Sequence, residues 1–215
     1  MKEYHKIKTV YKRDPDTKYK TLLEDQYAIP EFEYLKDCQW AFTEKVDGTN
    51  IRVMFNEGMG ITFGGKTERA QIPAPLVNKL NEIFLPELML FEDNFDNGVC
   101  LYGEGYGAKI QKGGGNYISD GVSFVLFDVR IGDYWLQRRD VDSIATGFGI
   151  EIVPIIGKGT LSRMIEIVKN ENAISAWATI KNPFRPEGIV ARPEVELKTR
   201  SGERIITKIK HKDFL

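Results

Sequence analysis

The sequence predicts an α+β fold of mostly antiparallel sheets with flanking helices. Three observations lead there. Short runs rich in β-branched and aromatic residues recur between Gly, Asp and Asn turns, from Trp40 to Phe63, over Gly98–Tyr106, over Val122–Ile131 and near the C-terminus. Helical spacing is confined to three segments between them. No linker, repeat or low-complexity tract divides the 215 residues, so the expectation is one domain over 1–215, in which residues 1–38 form an N-terminal segment that the pattern leaves unassigned.

The elements run in order along the chain. Trp40-Ala-Phe-Thr-Glu-Lys-Val46 runs into Asp47-Gly48, and Asn50-Ile-Arg-Val-Met-Phe55 leaves it. Asp-Gly between two such runs predicts a hairpin, because a tight turn needs backbone angles that glycine tolerates. A second turn at Asn56–Gly60 leads to Ile61-Thr-Phe63. Residues 73–84 read as a helix with Leu76, Leu80, Ile83 and Phe84 on one face and proline only at its start. Gly132-Asp133 turns the chain before Tyr134-Trp-Leu136, residues 139–147 read as helical, and Leu161, Met164, Ile165 and Val168 mark another helix. Pro186–Arg192 and Arg204–Lys210 read as strands.

Composition removes several function classes. Two histidines, at positions 5 and 211, leave little for a Ser-His-Asp or histidine-metal centre. Cys38 and Cys100 are isolated, which argues against a disulfide framework or zinc cluster and for a reducing, cytoplasmic compartment. No apolar run approaches a membrane span and no signal-type start is present. The net charge of −1 conceals a bias: residues 1–20 carry seven Lys/Arg against three acids, and residues 196–215 carry six against three. Basic ends suit nucleic-acid phosphates, although short charged runs are also ordinary solvated surface.

Gly60-Ile-Thr-Phe-Gly-Gly65-Lys66-Thr67 matches the P-loop pattern. That motif needs a helix beginning at the lysine. Here the intervening residues have strand character, and Pro73 and Pro75 interrupt the segment beyond Thr67. The match is read as a decoy.

Four segments place charge inside strand-forming sequence: Glu44-Lys45-Val46-Asp47-Gly48-Thr49-Asn50, Tyr102-Gly-Glu104-Gly105, Glu187-Gly-Ile-Val190 and Lys208-Ile-Lys210. Strands admit charge only where a face is wet or lines a cleft. Lys208 and Lys210, two apart, share a face. Singly, each segment also reads as an exposed lysine, a turn or a rim carboxylate.

In this order the segments resemble the motifs of the covalent nucleotidyltransferase superfamily, which contains ATP-dependent RNA and DNA ligases and mRNA capping enzymes. Lys45-Val-Asp-Gly48 resembles motif I, whose lysine is adenylylated. Lys66 falls where the family has a phosphate-contacting basic residue, usually arginine. Tyr102-Gly-Glu104-Gly resembles motif III, Ser123–Val129 with Phe127-Asp128 motif IIIa, Glu187-Gly-Ile-Val motif IV, and Lys208-Ile-Lys210 motif V. Asn50 and the lone aromatic of motif IIIa look most like the RNA ligase 2-type branch.

The resemblance implies a ligase adenylation-domain (ATP-grasp-like) architecture and a role for each matched residue. Lys45 is the nucleophile toward ATP, and neighbouring cations favour the neutral lysine that attack requires. The backbone at Glu44 and Val46 reads the purine edge, Asn50 and Lys66 contact the nucleotide, Glu104 binds the ribose hydroxyls and Phe127 stacks on adenine. Asp128 and Glu187 hold Mg²⁺ (or Mn²⁺) through water, and Lys208 and Lys210 take phosphates. The implied reaction passes AMP from Lys45 to a 5′-phosphate RNA end, nicked duplex included, and seals it to a 3′-hydroxyl. Only five residues come after motif V, so the expectation is a minimal form without an OB or helical second domain, relying on a nucleic-acid-gripping partner. A compact DNA ligase, a capping guanylyltransferase and a non-catalytic nucleotide- or RNA-binding module remain alternatives, and a P-loop ATPase is the last of them.

Overall fold

The Asp47-Gly48 step does not close a hairpin. In the computed structural model, which describes residues 2–170 and 172–214, it carries the chain from one sheet into another. Two compact units result, one formed by Met1–His5 and Asp47–Val153, the other by Lys6–Val46 and Pro154–Leu215. The expected α+β class holds in both.

The second unit begins with β1 (Lys8–Thr9), β2 (Tyr11–Arg13), β3 (Leu22–Tyr27), α1 (Pro30–Tyr34) and β4 (Trp40–Lys45). The first unit then supplies β5 (Thr49–Asn56), β6 (Gly60–Gly64), α2 (Ala74–Phe84), α3 (Leu88–Asn94), β7 (Val99–Gly107), α4 (Gly114–Tyr117), β8 (Val122–Ile131), β9 (Tyr134–Trp135), α5 (Arg138–Gly147) and β10 (Glu151–Ile152). The chain returns through β11 (Ile155–Gly159), α6 (Leu161–Lys169), β12 (Gly188–Pro193) and β13 (Thr207–Lys210).

In the first unit the sheet order is β10-β8-β7-β5-β6, with β9 on β8. The β5–β6 turn is the expected hairpin: Asn56 pairs with Gly60, whose φ of 67° suits glycine. Ile51, Val53 and Phe55 alternate into a core shared with Val99, Leu101, Phe124, Leu126 and Val129. The α2 helix covers it through Leu76, Leu80 and Phe84, all wholly buried and each worth about 1.5–3 kcal/mol. Asn50, Arg52 and Met54 therefore take the other face of β5.

In the second unit the order is β1-β13-β12-β4-β11, beside a β2–β3 ribbon. Trp40, Phe42, Ile189, Ala191 and Ile209 pack against Leu161, Met164, Ile165 and Val168 of α6. The Thr160 hydroxyl caps that helix by accepting from Arg163 N at 3.2 Å. The pairing that the Asp-Gly signal assigned to β5 belongs to β12 and β11 instead, which take the two edges of β4. Arg204–Ile206, expected within the last strand, precede it, because β13 begins at Thr207. Among the described residues no helix is long and apolar enough to cross a membrane.

Candidate active site

Three strands of the second unit bring its charged residues together. Lys45 at the end of β4, Gly188 at the start of β12 and Lys210 at the end of β13 lie directly opposite one another. One row away stand Thr43, Val190 and Lys208. Opposed residues on neighbouring strands share a face, so Lys45, Lys208 and Lys210 all belong to one side of the sheet. Gly188 keeps the row clear, since a Cβ there would lie 2.1 Å from Ile209 O and 2.7 Å from Lys210 Cα.

Glu187, one residue before β12, bridges the flanking lysines. Lys45 Nζ donates to its Oε2 at 2.5 Å, and Lys210 Nζ pairs with its Oε1. Burial alone would raise the Glu187 carboxyl, but the Lys45 charge and the hydrogen bonds from Lys210 and Lys45 outweigh it, leaving the group below its ordinary 4.5. Lys45, Lys208 and Lys210 gather cations on this face, which suits an anionic ligand.

Glu44 lies on the opposite, core side of β4. Its carboxylate is buried and accepts from Ser175 Oγ at 2.6 Å and Ala176 N at 2.7 Å, tying down the segment that precedes β12. Its amide donates to Pro154 O, and Val46 is buried.

The first unit carries the remaining expected residues. Asn50 and Glu104 are paired across β5 and β7, both partly accessible, and Asn50 Oδ1 is a buried acceptor with no hydrogen-bond partner among the described residues. The next row holds Arg52, Tyr102 and Asp128. Between Leu126, opposite Gly103, and Asp128, opposite Tyr102, Phe127 is an extra residue, a bulge that takes its ring out of the core alternation. Asp128 is fully buried, and Tyr4 donates to its Oδ2 at 2.6 Å. The Tyr4 ring also meets Phe127 edge-on at 5.1 Å.

Lys66 is exposed just after β6, and the helix that a P-loop requires is absent there; α2 starts only at Ala74. The buried Arg52 donates through Nε to Gly65 O at 2.9 Å and so fixes the backbone from which Lys66 departs. Asp47 accepts from Gly113 N at 2.9 Å. The Gly-rich stretch 105–115 is thus less loose than its composition suggests: its start belongs to β7, its end to α4, and Tyr106 packs against Tyr117. Gly48 stands where a Cβ would lie 2.3 Å from Gly105 O, so close approach to β7, rather than a turn, demands glycine.

Arg52, Tyr4 and Ser175 escaped the sequence reading. Arg52 carried the same signal as Lys208, a charge within a strand of apolar residues; Tyr4 and Ser175 carried none.

The chain holds no cluster of three metal-ligating side chains among the described residues. Mg²⁺ usually keeps several waters and relies on one or two carboxylates plus substrate phosphates, so such a cluster is not required. Glu187, partly open and held by cations that an incoming ligand can displace, fits that mode. Asp128 in this conformation is closed off by Tyr4.

A sequence profile of RNA ligases matches residues 39–210. The chain belongs to the RNA ligase family. The matched span begins just before β4 and ends on Lys210, so it takes in every expected site residue. Solved structures of Naegleria gruberi RNA ligase are similar in fold. One variant with ATP and Mn has a TM-score of 0.65 at 17% identity, over 98% of this chain and 56% of that one. The form with PPi gives 0.62 at 20% identity, over 94% and 55%. A second variant with ATP and Mn gives 0.61 at 19%, over 99% and 63%. The chain therefore spans a little over half the length of these ligases. No curated protein sequence matches it.

Proposed function

We propose that the chain is an ATP-dependent RNA ligase whose nucleophile is Lys45. The observation that carries this reading is the row Lys45–Gly188–Lys210 with the Glu187 carboxylate across both lysines. It supplies an amine, a means of orienting it and cations for a triphosphate. Support also comes from family membership and from ATP and Mn in fold relatives.

In the resting state Glu187 holds the Lys45 ammonium in an ion pair. Its lowered pKa makes it a poor proton acceptor near neutrality, so it acts as an orienting partner rather than a general base. An arriving triphosphate competes for Lys208 and Lys210, loosening the hold on Glu187 and on Lys45. Neutral Lys45 Nζ then attacks the α-phosphorus; the P–N bond forms, the bond to pyrophosphate breaks, and a proton passes from the nitrogen to solvent water. Lys208, Lys210 and Lys66 stabilise charge on the phosphates. Glu187 would be the carboxylate to hold a divalent metal through water, and the metal would supply further neutralisation of phosphate charge.

Asn50 and Glu104 take the sugar side of the nucleotide, with Phe127 as the adenine platform. AMP passes to a 5′-phosphate RNA end, and a 3′-hydroxyl displaces it to seal the strand. The proposed compartment is the cytoplasm, where two unpaired cysteines stay reduced.

The test is label transfer. With a divalent metal, α-labelled ATP should leave acid-labile label on the denatured chain and γ-labelled ATP none, and Lys45→Ala should abolish it. Full labelling of Lys45→Ala would sink the assignment. Sealing of nicked RNA against nicked DNA then decides the substrate.

A further inference from the structure

The loop joining β2 to β3 holds two consecutive non-glycine residues in the left-handed region, Lys18 at φ 54° and Tyr19 at φ 62°. That conformation is unfavourable for a bulky L-residue, and two in succession compound the strain. A set of bonds enforces it. Tyr19 N donates to Asp14 O and Lys18 N to Pro15 O, both at 2.9 Å. Arg13 Nη1 donates to Tyr19 O and Lys20 O at 3.3 Å.

Arg13 also braces the loop to the rest of its unit. Its Nη2 donates to Asp213 Oδ1 at 2.6 Å, and Asp213 Oδ2 accepts from Lys210 N at 3.0 Å. The loop is thus tied to the strand carrying Lys208 and Lys210.

What the loop presents is Tyr19, 63% exposed, between the exposed Lys18 and Lys20. Among the described residues the Tyr19 ring has no aromatic partner and neither lysine an ion pair. A tyrosine here contributes little packing and adds strain that glycine would relieve, so fold stability does not account for it. A flat π face between two cations is instead the chemistry that binds unpaired nucleotides, by stacking on the base and neutralising phosphates.

We propose that the β2–β3 loop is a docking platform for an unpaired stretch of RNA, with Tyr19 stacking on a base and Lys18 and Lys20 meeting the adjacent phosphates. The choice of RNA rests on the ligase reading above. The platform itself uses none of the residues assigned to nucleotide transfer.

The test measures binding of a fluorescent single-stranded RNA and of a blunt RNA duplex to the full chain across a salt series. Tyr19→Ala should weaken single-strand binding about fivefold or more and leave duplex binding unchanged, while Tyr19→Phe should stay close to the parent. Lys18→Ala with Lys20→Ala should lower the salt slope by about 1.4, the value for two single-strand phosphates. Tyr19→Gly separates recognition from folding: relieved of strain, it should melt no lower than the parent yet bind single strands as poorly as Tyr19→Ala. Label transfer from ATP without RNA should match the parent in every variant.

The platform is overturned if Tyr19→Ala and Tyr19→Gly bind single strands like the parent, if they weaken duplex and single strand equally, or if the lysine pair leaves the salt slope intact. A parent that takes no label while Tyr19→Ala loses RNA binding would refute the ligase reading and leave the platform standing.

Discussion

Lys45 and Glu187 meet at 2.5 Å although 142 residues separate them in sequence, and the same carboxylate holds Lys210 on its other oxygen. The pairing has a pH signature. Because the folded-state pKa of Glu187 is lowered, its contribution to stability is present above the ordinary value near 4.5 and is lost as pH falls through the lowered value. Unfolding monitored from about pH 6 down to about pH 3 should therefore show a steeper acid loss in the parent than in Glu187→Gln. Equal slopes would mean that the carboxylate is not held as described.

Gly188 separates the two lysines, and its missing side chain leaves β12 close against β13. Gly188→Ala should cost about 1–3 kcal/mol in urea unfolding, the range for forcing extra atoms into a packed site. It should also reduce label transfer from ATP beyond what the unfolded fraction explains, because relief of the clash shifts Lys210. Normal labelling would show that the spacing tolerates adjustment.

Asp47, within the Lys45-Val-Asp-Gly tetrad, holds Gly113 rather than a nucleotide in this structure. Asp47→Ala should release the stretch containing Lys109 and Lys112, both adjoining accessible chain. Limited trypsin digestion would then cut there faster than in the parent, with a stability loss of about 1 kcal/mol. An unchanged digestion pattern would refute the anchoring role.

The two cysteines should differ in reactivity. Cys38 is exposed, whereas Cys100 is buried, and that burial pushes its thiol up to about 11. An aromatic disulfide reagent should titrate one thiol rapidly in the native protein and two after denaturation, and Cys38→Ala should remove the rapid one. Two rapid thiols in the native chain would contradict the burial.

Local signals were legible wherever the interaction was local. The Asn56–Gly60 hairpin, α2 and α6 come from turn chemistry and helical spacing, with partners within a few residues. The Asp47-Gly48 signal misled because glycine there serves close approach to Gly105, and the strands that flank β4 come from beyond residue 154. Motif order singled out the charged residues as candidates, yet it could not tell which face each occupies. Glu44 and Lys45 are neighbours in sequence and point to opposite sides of β4, one into a buried bond with Ser175 and one to Glu187. The bulge at Phe127 and the Tyr4 bond to Asp128 depend on pairings more than twenty and more than one hundred residues apart, which no periodicity encodes.

The interleaved order of the two units has a consequence for synthesis. The strands of the first unit are complete by Val153, so its sheet can close while the ribosome is still working. Lys45, made early, must wait: the neighbours of its strand are β11 and β12, β13 joins beyond β12, and its two charged companions are residues 187 and 210. A nascent chain stopped in between would carry the amine without its escort. The row is complete only once residue 210 has emerged, and on the proposed reading a product terminated before that point should take no label from ATP.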